Sequence, residues 1–593
     1  MIDALRRAFG TERSAKQPRL SVACCKTVLA GFPLLCNVTG AFGVMRGWVT
    51  VKTEGFDLRD RPWIPVRVGG RSERVGLREL FLRAHEVEDL ELPVPPAASG
   101  LMRILAAMTV RIVGEGAARL DDADLAGKSS AWRRLRNRVL EQGRFDPDRV
   151  REYFDRQVPA GRFDLFDAVR PFLQDPRLAK ECVDPKGKPN PSGVNKLVLG
   201  RPTGVNGAVL FGHFTDREPV ALPAAEAAWH MIAQLYHGPS GQCTPRRITA
   251  VRAGSGDAGP LRKAVSYFPW ADSFFATLVL AVPAPWGDLE LSGGTCPWEQ
   301  EELPDPEQPV AATWPGRLLT GRARHAVLLV PSADRREVVD AYLTWSTHTP
   351  ADVALDPFVI GDVPVKGGAP YARVADGARA TWRDLDSLLM QTGTVDGKRP
   401  RAFERLPRRL SGQLRVRAYG FDQDGQQKDT VWYEATTPPV LQWQQPDPDE
   451  EESHEAGAAA AMAVRVHECH DFAETVGRSL EYAAMLAWKL TNVGPDPEAP
   501  VKVEKKRPGP WATRALRVYW PQAEQEFWRL VSTGHREDPL HKPFVTAALD
   551  ALDAAIGPAT RADLRVARAR SRARRVLFKL LPSTSRSDLP PSP

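Results

Sequence analysis

The feature that most restricts how this chain can fold is the break at Gln445-Pro446-Asp447-Pro448-Asp449-Glu450-Glu451-Glu452, an acidic, proline-containing stretch with nothing able to build a core. Beyond it the apolar pattern turns helical over about 458–490, 511–531, 543–556 and 562–581, with Pro or Gly in every connection. Four consecutive helices joined by short or moderate loops predict an antiparallel four-helix bundle over 458–582. Ahead of the break, short apolar segments such as Ala326–Val330 and Leu278–Val282 alternate with Gly/Pro-rich connections. That pattern predicts a large irregular α+β domain over 53–445, with 446–457 as the linker and 583–593 as a disordered tail.

Residues 1–52 show neither helical period nor strand alternation and are expected to be an unstructured or mis-started extension, with Met45 as an alternative start. The apolar run Val22–Met45 is interrupted by Gly31, Pro33, Asn37 and Gly40 before it could span a membrane, and a signal peptide is the lesser alternative. The seven cysteines in 593 residues are scattered and form no C-x-x-C pair, which excludes a disulfide scaffold and a cysteine zinc site and points to the reducing cytoplasm. Lys and Arg number 80 against 73 Asp and Glu, a net charge of +7 that permits an anionic partner without demanding one.

Two motifs look chemical and read otherwise. Gly254-Ser255-Gly256-Asp257-Ala258-Gly259 matches a dinucleotide fingerprint, but Pro260 follows at once and no strand and helix alternation surrounds it, so it reads as a flexible loop. His467, Cys469, His470 and Asp471 sit early in the first C-terminal helix without a visible fourth ligand and read as helix-surface histidines, not as a metal site. No nucleophile elbow, zinc-protease or P-loop pattern occurs, so neither catalytic residues nor a cofactor is expected.

Two other places point toward nucleic acid. Arg561, Arg565, Arg568, Arg572, Arg575 and Lys579 recur at spacings of four and three, a single cationic stripe, while Val566, Ala569, Ala573, Val576 and Leu580 form an apolar stripe beside it. The cationic stripe suits either a phosphate backbone or a neighbouring subunit. Over Gln413–Pro438, Leu414, Val416 and Ala418 alternate with Arg415, Arg417 and Tyr419, and Thr430-Val431-Trp432-Tyr433 runs back after a tip that holds Gln426 and Gln427. The pattern is a hairpin, by composition an ordinary exposed turn.

Phe56-Asp57-Leu58 through Trp63-Ile64-Pro65-Val66, Arg162-Phe163-Asp164-Leu165-Phe166 with Pro171-Phe172-Leu173-Gln174, Asn195-Lys196-Leu197, the glutamine-tipped hairpin and the terminal helices together resemble the large subunit of the type I-E CRISPR surveillance complex, Cascade. The resemblance covers about residues 53–582. It implies a non-catalytic subunit, bound to guide RNA and other Cascade subunits, that reads the protospacer-adjacent motif of target double-stranded DNA, begins unwinding and recruits a helicase-nuclease. It assigns Phe211, Gly212 and His213 to the guide RNA handle, where an aromatic can stack on a splayed base. Gly238, Pro239, Ser240 and Gly241 become the minor-groove loop, with Arg246 and Arg247 on the DNA backbone. Gln426 and Gln427 become the wedge that enters the base stack. The family's motif-contacting lysine has no counterpart between Ala311 and Val365, leaving Arg317, Arg322 and Arg324 as open candidates. The rivals are a nucleic-acid-processing enzyme with an unrecognised site and a protein-only scaffold.

Overall fold

Trp63 shows why the opening Trp-Ile-Pro-Val segment has the sequence it has. Its ring is fully buried, its indole N–H donates to the Leu58 carbonyl at 2.9 Å, and its own carbonyl accepts from the Trp229 indole at 2.8 Å. In the computed structural model of the protein this segment begins β1 (Ile64–Val68), which pairs antiparallel with β2 (Arg71–Val75) on one side and β3 (Val87–Leu90) on the other. The structure describes residues 55–114, 125–203, 212–248, 254–284, 295–308, 313–314, 316–347, 356–364, 366, 368–391, 397–423, 429–445, 454–492, 503–504, 506, 508–557 and 563–582. Residues 1–54 lie outside these, as do the acidic stretch after Gln445 and the expected tail.

The next helix, α1 (Pro95–Val113), is long and apolar enough to cross a membrane but 89% buried over that window, a core helix of the folded chain. Burial on all sides puts Arg103 in the interior, where Asp356 accepts from it twice, at 2.9 and 2.8 Å, and the rings of Phe268 and Phe358 flank the guanidinium. A buried charge survives only when paired in this way. Helix α2 (Leu125–Gln142) follows, and α3 (Ala224–His237) packs along α1. The Phe163 and Phe172 motifs are core too: both rings are buried, and the Gln174 amide ties the Leu165 carbonyl to the Leu329 N–H, each at 2.8 Å.

Among the described residues, two more three-stranded antiparallel sheets and two ribbons of two-residue strands complete this part. In one sheet, β5 (His325–Pro331) pairs with β6 (Glu337–Trp345); in the other, β4 (Val265–Trp270) and β8 (Asp429–Thr436) flank β7 (Arg415–Gln423). The expected hairpin is therefore β7–β8, and its first strand is central, not exposed. Arg417 is buried on that strand, held by Asp89 at 3.0 Å and by Glu434, with Trp270 4.2 Å beneath it. Leu278, read with the apolar segments, ends up in the short helix Phe274–Leu280.

After the acidic stretch come α4 (His454–Asn492), α5 (Pro510–Val531), α6 (His541–Ile556) and α7 (Leu564–Phe578). Helix α4 starts at His454, so residues 454–457, expected as linker, are its first turn. It packs on each of the other three, and the group docks on the preceding part through Trp382, whose ring lies 4.6 Å from Phe527, and through Arg383, which stacks 3.5 Å from Trp520 and binds Glu474 at 2.7 Å.

Candidate nucleic-acid interface

The alanine-rich helix α3 ends at Gly238, where the backbone turns to φ −58°, ψ 147°. A Cβ at Gly238 would lie 2.6 Å from the Gln234 carbonyl oxygen and 2.7 Å from His325 Cε1, so only glycine fits the turn. Pro239, Ser240 and Gly241 then project as an exposed loop, with Gly241 at φ +124°. Two anchors fix it. The Pro239 carbonyl oxygen is 3.1 Å from Nε2 of His325, and the Gly238 carbonyl accepts from Gly259 N–H at 2.8 Å. Burial lowers the His325 pKa to about 4, so the ring is neutral and Nε2–H is the donor. The Gly254–Gly259 run is thus no free loop: Gly241 pairs with Gly256 and Gln242 with Ser255, and Lys196 Nζ donates to the Gln242 carbonyl at 3.2 Å.

The same frame carries the hairpin. Phe421, two residues before β7 ends, meets the His237 ring edge-on at 6.0 Å, and the Arg262 guanidinium sits 4.2 Å over the Phe421 ring while donating to the His237 carbonyl at 2.7 Å. The Gln423 amide also faces Arg262. Gln426 and Gln427 lie outside the described residues, but the strands that carry them close in the register Gln423 to Asp429. Asp422, an anion beside the tip, accepts from the Gly377 N–H at 2.9 Å and braces a neighbouring loop.

Arg246 is the clear correction. Instead of facing DNA it is fully buried, 2.7 Å from both Asp175 and Glu181, with its guanidinium near the Trp345 ring. Arg247, next in the chain, is exposed and donates to the Val183 carbonyl at 3.1 Å. Of the open candidates for the missing lysine, Arg322 pairs with Asp356 and Arg324 with Asp257, both at 3.3 Å, while Arg317 lines a cavity of about 350 Å³ together with Arg162, Arg170 and Arg177.

In the segment assigned to the RNA handle, Phe211 is outside the described residues and Gly212 and His213 are exposed. The next aromatic, Phe214, is 36% exposed, and the Arg201 guanidinium lies 4.0 Å over its ring. Asn195 holds the loop by donating to Asp216 at 3.0 Å. Sequence reasoning passed over Phe214, although an aromatic three residues after Phe211 was a visible signal.

On α7, Arg568, Arg575 and Lys579 are exposed, Arg565 and Arg572 half-buried, and Arg561 lies outside the described residues. The buried stripe is Val566, Ala569, Ala573 and Leu577, so Leu577 takes the place expected for Val576 and Leu580, which are half-buried. Asp563 caps the helix by accepting from the Arg565 N–H at 2.7 Å. Arg570 and Arg574, outside the stripe, both bind Asp553 of α6.

Nor are the histidines of α4 simply a surface feature. Asp386, from the helix Leu385–Leu389, comes within 3.2 Å of His470 Nδ1 and 3.8 Å of His467 Nδ1.

The family model of the CRISPR-associated protein Cse1 matches residues 57–561. A curated relative, CRISPR-associated protein CasA/Cse1 of Thermus thermophilus, is 30% identical over 349 residues, which are 57% of this chain and 61% of that protein, so the match spans under two thirds of the relative's length. Among solved structures, a chain of a CRISPR RNA-guided surveillance complex is 36% identical with a TM-score of 0.71, covering 88% of this chain and 99% of that one. A chain of such a complex in a pre-nicking state is 37% identical with a TM-score of 0.67, over 88% and 98% of the two chains. The CasA (Cse1) structure from Thermus thermophilus, at 22% identity, a TM-score of 0.62 and coverage of 89% and 99%, shares the fold. With the family model covering most of its length, the chain belongs to the CRISPR-associated protein Cse1 family.

Proposed function

We propose that this chain is the non-catalytic large subunit of a Cascade surveillance complex, in which it binds the guide RNA handle, reads the protospacer-adjacent motif of duplex DNA from the minor groove, starts strand separation and recruits the helicase-nuclease. Residues 55–445 form the recognition part and the helices after His454 a bundle that lies along nucleic acid or a neighbouring subunit. The observation that supports this reading is the junction at Phe421: His237, which precedes the exposed glycine loop, and Arg262 both pack on this residue, two positions before the end of the hairpin's first strand. A loop nearly bare of side chains lets backbone groups reach a groove floor, and a hairpin tip held beside it acts on the adjacent base step. Reading only the minor groove's degenerate pattern tolerates several flanking motifs, while guide pairing supplies sequence specificity.

The test is duplex opening by the assembled complex, followed with a fluorescent base beside the flanking motif. Replacing Gln426 and Gln427 with alanine should abolish opening while assembly with guide RNA is retained, and a bubble already unpaired there should restore target binding. Equal loss of assembly and opening would mean that the hairpin is structural and would remove the wedge from this account.

A further inference from the structure

His467 and His470 lie three residues apart on one face of α4, and Asp386 arrives opposite them from the other side of the acidic stretch. One donor atom from each falls within 4.8 Å of the other two. Asp386 Oδ2 is the common point, 3.2 Å from His470 Nδ1 and 3.8 Å from His467 Nδ1. His470 Nε2 lies 3.7 Å from Glu474 Oε1, and neither Nδ1 of His467 nor either ring nitrogen of His470 makes a well-aligned hydrogen bond, although all three are shielded from solvent. Leaving such atoms unsatisfied is costly, and buried polar groups in folded proteins are nearly always paired.

The surrounding charges are already matched. Glu474 accepts from Arg383 at 2.7 Å and from Arg379 at 3.2 Å, and Arg373 binds Asp362 and Asp384 at 2.8 and 2.9 Å. The uncommitted acceptors are therefore one carboxylate oxygen and imidazole nitrogens. That donor set suits a borderline divalent ion far better than Mg²⁺ or Ca²⁺, which prefer all-oxygen shells. Four-coordinate zinc with bonds of about 2.0–2.1 Å puts its ligand atoms roughly 3.4 Å apart, the spacing these atoms approach.

We propose that Asp386, His467 and His470 form a site for a divalent transition-metal ion of the zinc class, bound by one carboxylate and two imidazoles. A cavity of about 440 Å³, lined also by Tyr371, Asp471 and Arg478, gives the fourth position access to water. The ion ties the segment before the acidic stretch to the first helix after it. Its role is structural, a staple across the seam that Trp382 and Arg383 also form.

The purified full chain, stripped with chelator and dialysed against buffered Zn²⁺, should retain one equivalent by elemental analysis. Co²⁺ should give the visible ligand-field bands of a four-coordinate site, displaced by Zn²⁺ and unaffected by excess Mg²⁺. His467→Gln, a change of a half-buried residue to a good helix former, should keep the far-UV spectrum and weaken Co²⁺ binding more than about tenfold, since losing even an outer-sphere partner costs that much. As a check independent of any variant, Zn²⁺ should raise the melting temperature of the unaltered chain and chelator should reverse it. Sub-stoichiometric metal with no Co²⁺ bands, or unchanged uptake by His467→Gln, would overturn the site and leave an imidazolium–carboxylate pair in its place.

Discussion

The Nε2 atom of His325 stands 3.1 Å from the carbonyl oxygen of Pro239, so a neutral histidine on β5 holds the first residue of the exposed glycine loop. Burial lowers its pKa from 6.5 to about 4, and lowers those of His230 and His237 to about 4 and about 3. Between those values and 6.5 the unfolded chain binds protons that the folded chain does not, so stability falls as pH is lowered through this window, by up to about 1.4 kcal/mol per pH unit for each group. Replacing His325 with glutamine, which can still donate to Pro239, should flatten the slope by about one proton. Denaturant titrations between pH 4.5 and 7 measure it; an unchanged slope would mean that His325 is charged in the folded state.

Arg246 and Arg247 should behave as opposites although they are neighbours. Arg246→Met leaves Asp175 and Glu181 without their buried partner and should lower unfolding free energy by about 3–5 kcal/mol. Arg247→Ala should leave stability within about 0.5 kcal/mol and reduce the salt slope of duplex binding by about one unit. Thermal melts and salt-dependent binding by the assembled complex separate the two.

The two sets of arginines on α7 give a second contrast. Changing Arg568, Arg575 and Lys579 to glutamine should reduce the slope of log affinity against log salt by about two to three units without altering preference among flanking motifs. Changing Arg570 and Arg574, which bind Asp553, should lower the melting temperature and leave the slope alone. A slope unmoved by the first set would assign that face to a neighbouring subunit.

Phe214→Ala should cost about 1–3 kcal/mol in binding of the guide RNA handle, the usual worth of one base stacked on an aromatic ring. Its ring is 36% exposed, so the melting temperature should barely change. Fluorescence anisotropy with a handle oligonucleotide measures the loss.

What the sequence discloses depends on how local the cause is. The C-terminal helices were legible because their apolar residues recur every 3.6 positions, and the hairpin because Leu414, Val416 and Ala418 alternate. The phase of α7 slipped at its end, where Val576, Leu577 and Leu580 are all apolar and only packing selects Leu577. Arg246 was misread because its partners lie 71 and 65 residues away in the chain. The same holds for the histidines of α4, whose third neighbour, Asp386, belongs to another element altogether.

The tie between Gly238 and Gly259 separates two kinds of inheritance. Gly238, Gly259 and His325 carry the geometry of the loop, while the exposed residues Pro239, Ser240, Gly241 and Gln242 add little to the core. Substitutions within those four positions therefore change what the loop touches at almost no cost in folding, provided position 241 keeps a residue that tolerates positive φ. The loop is a replaceable cassette, whose exposed positions can be exchanged without rebuilding the protein beneath.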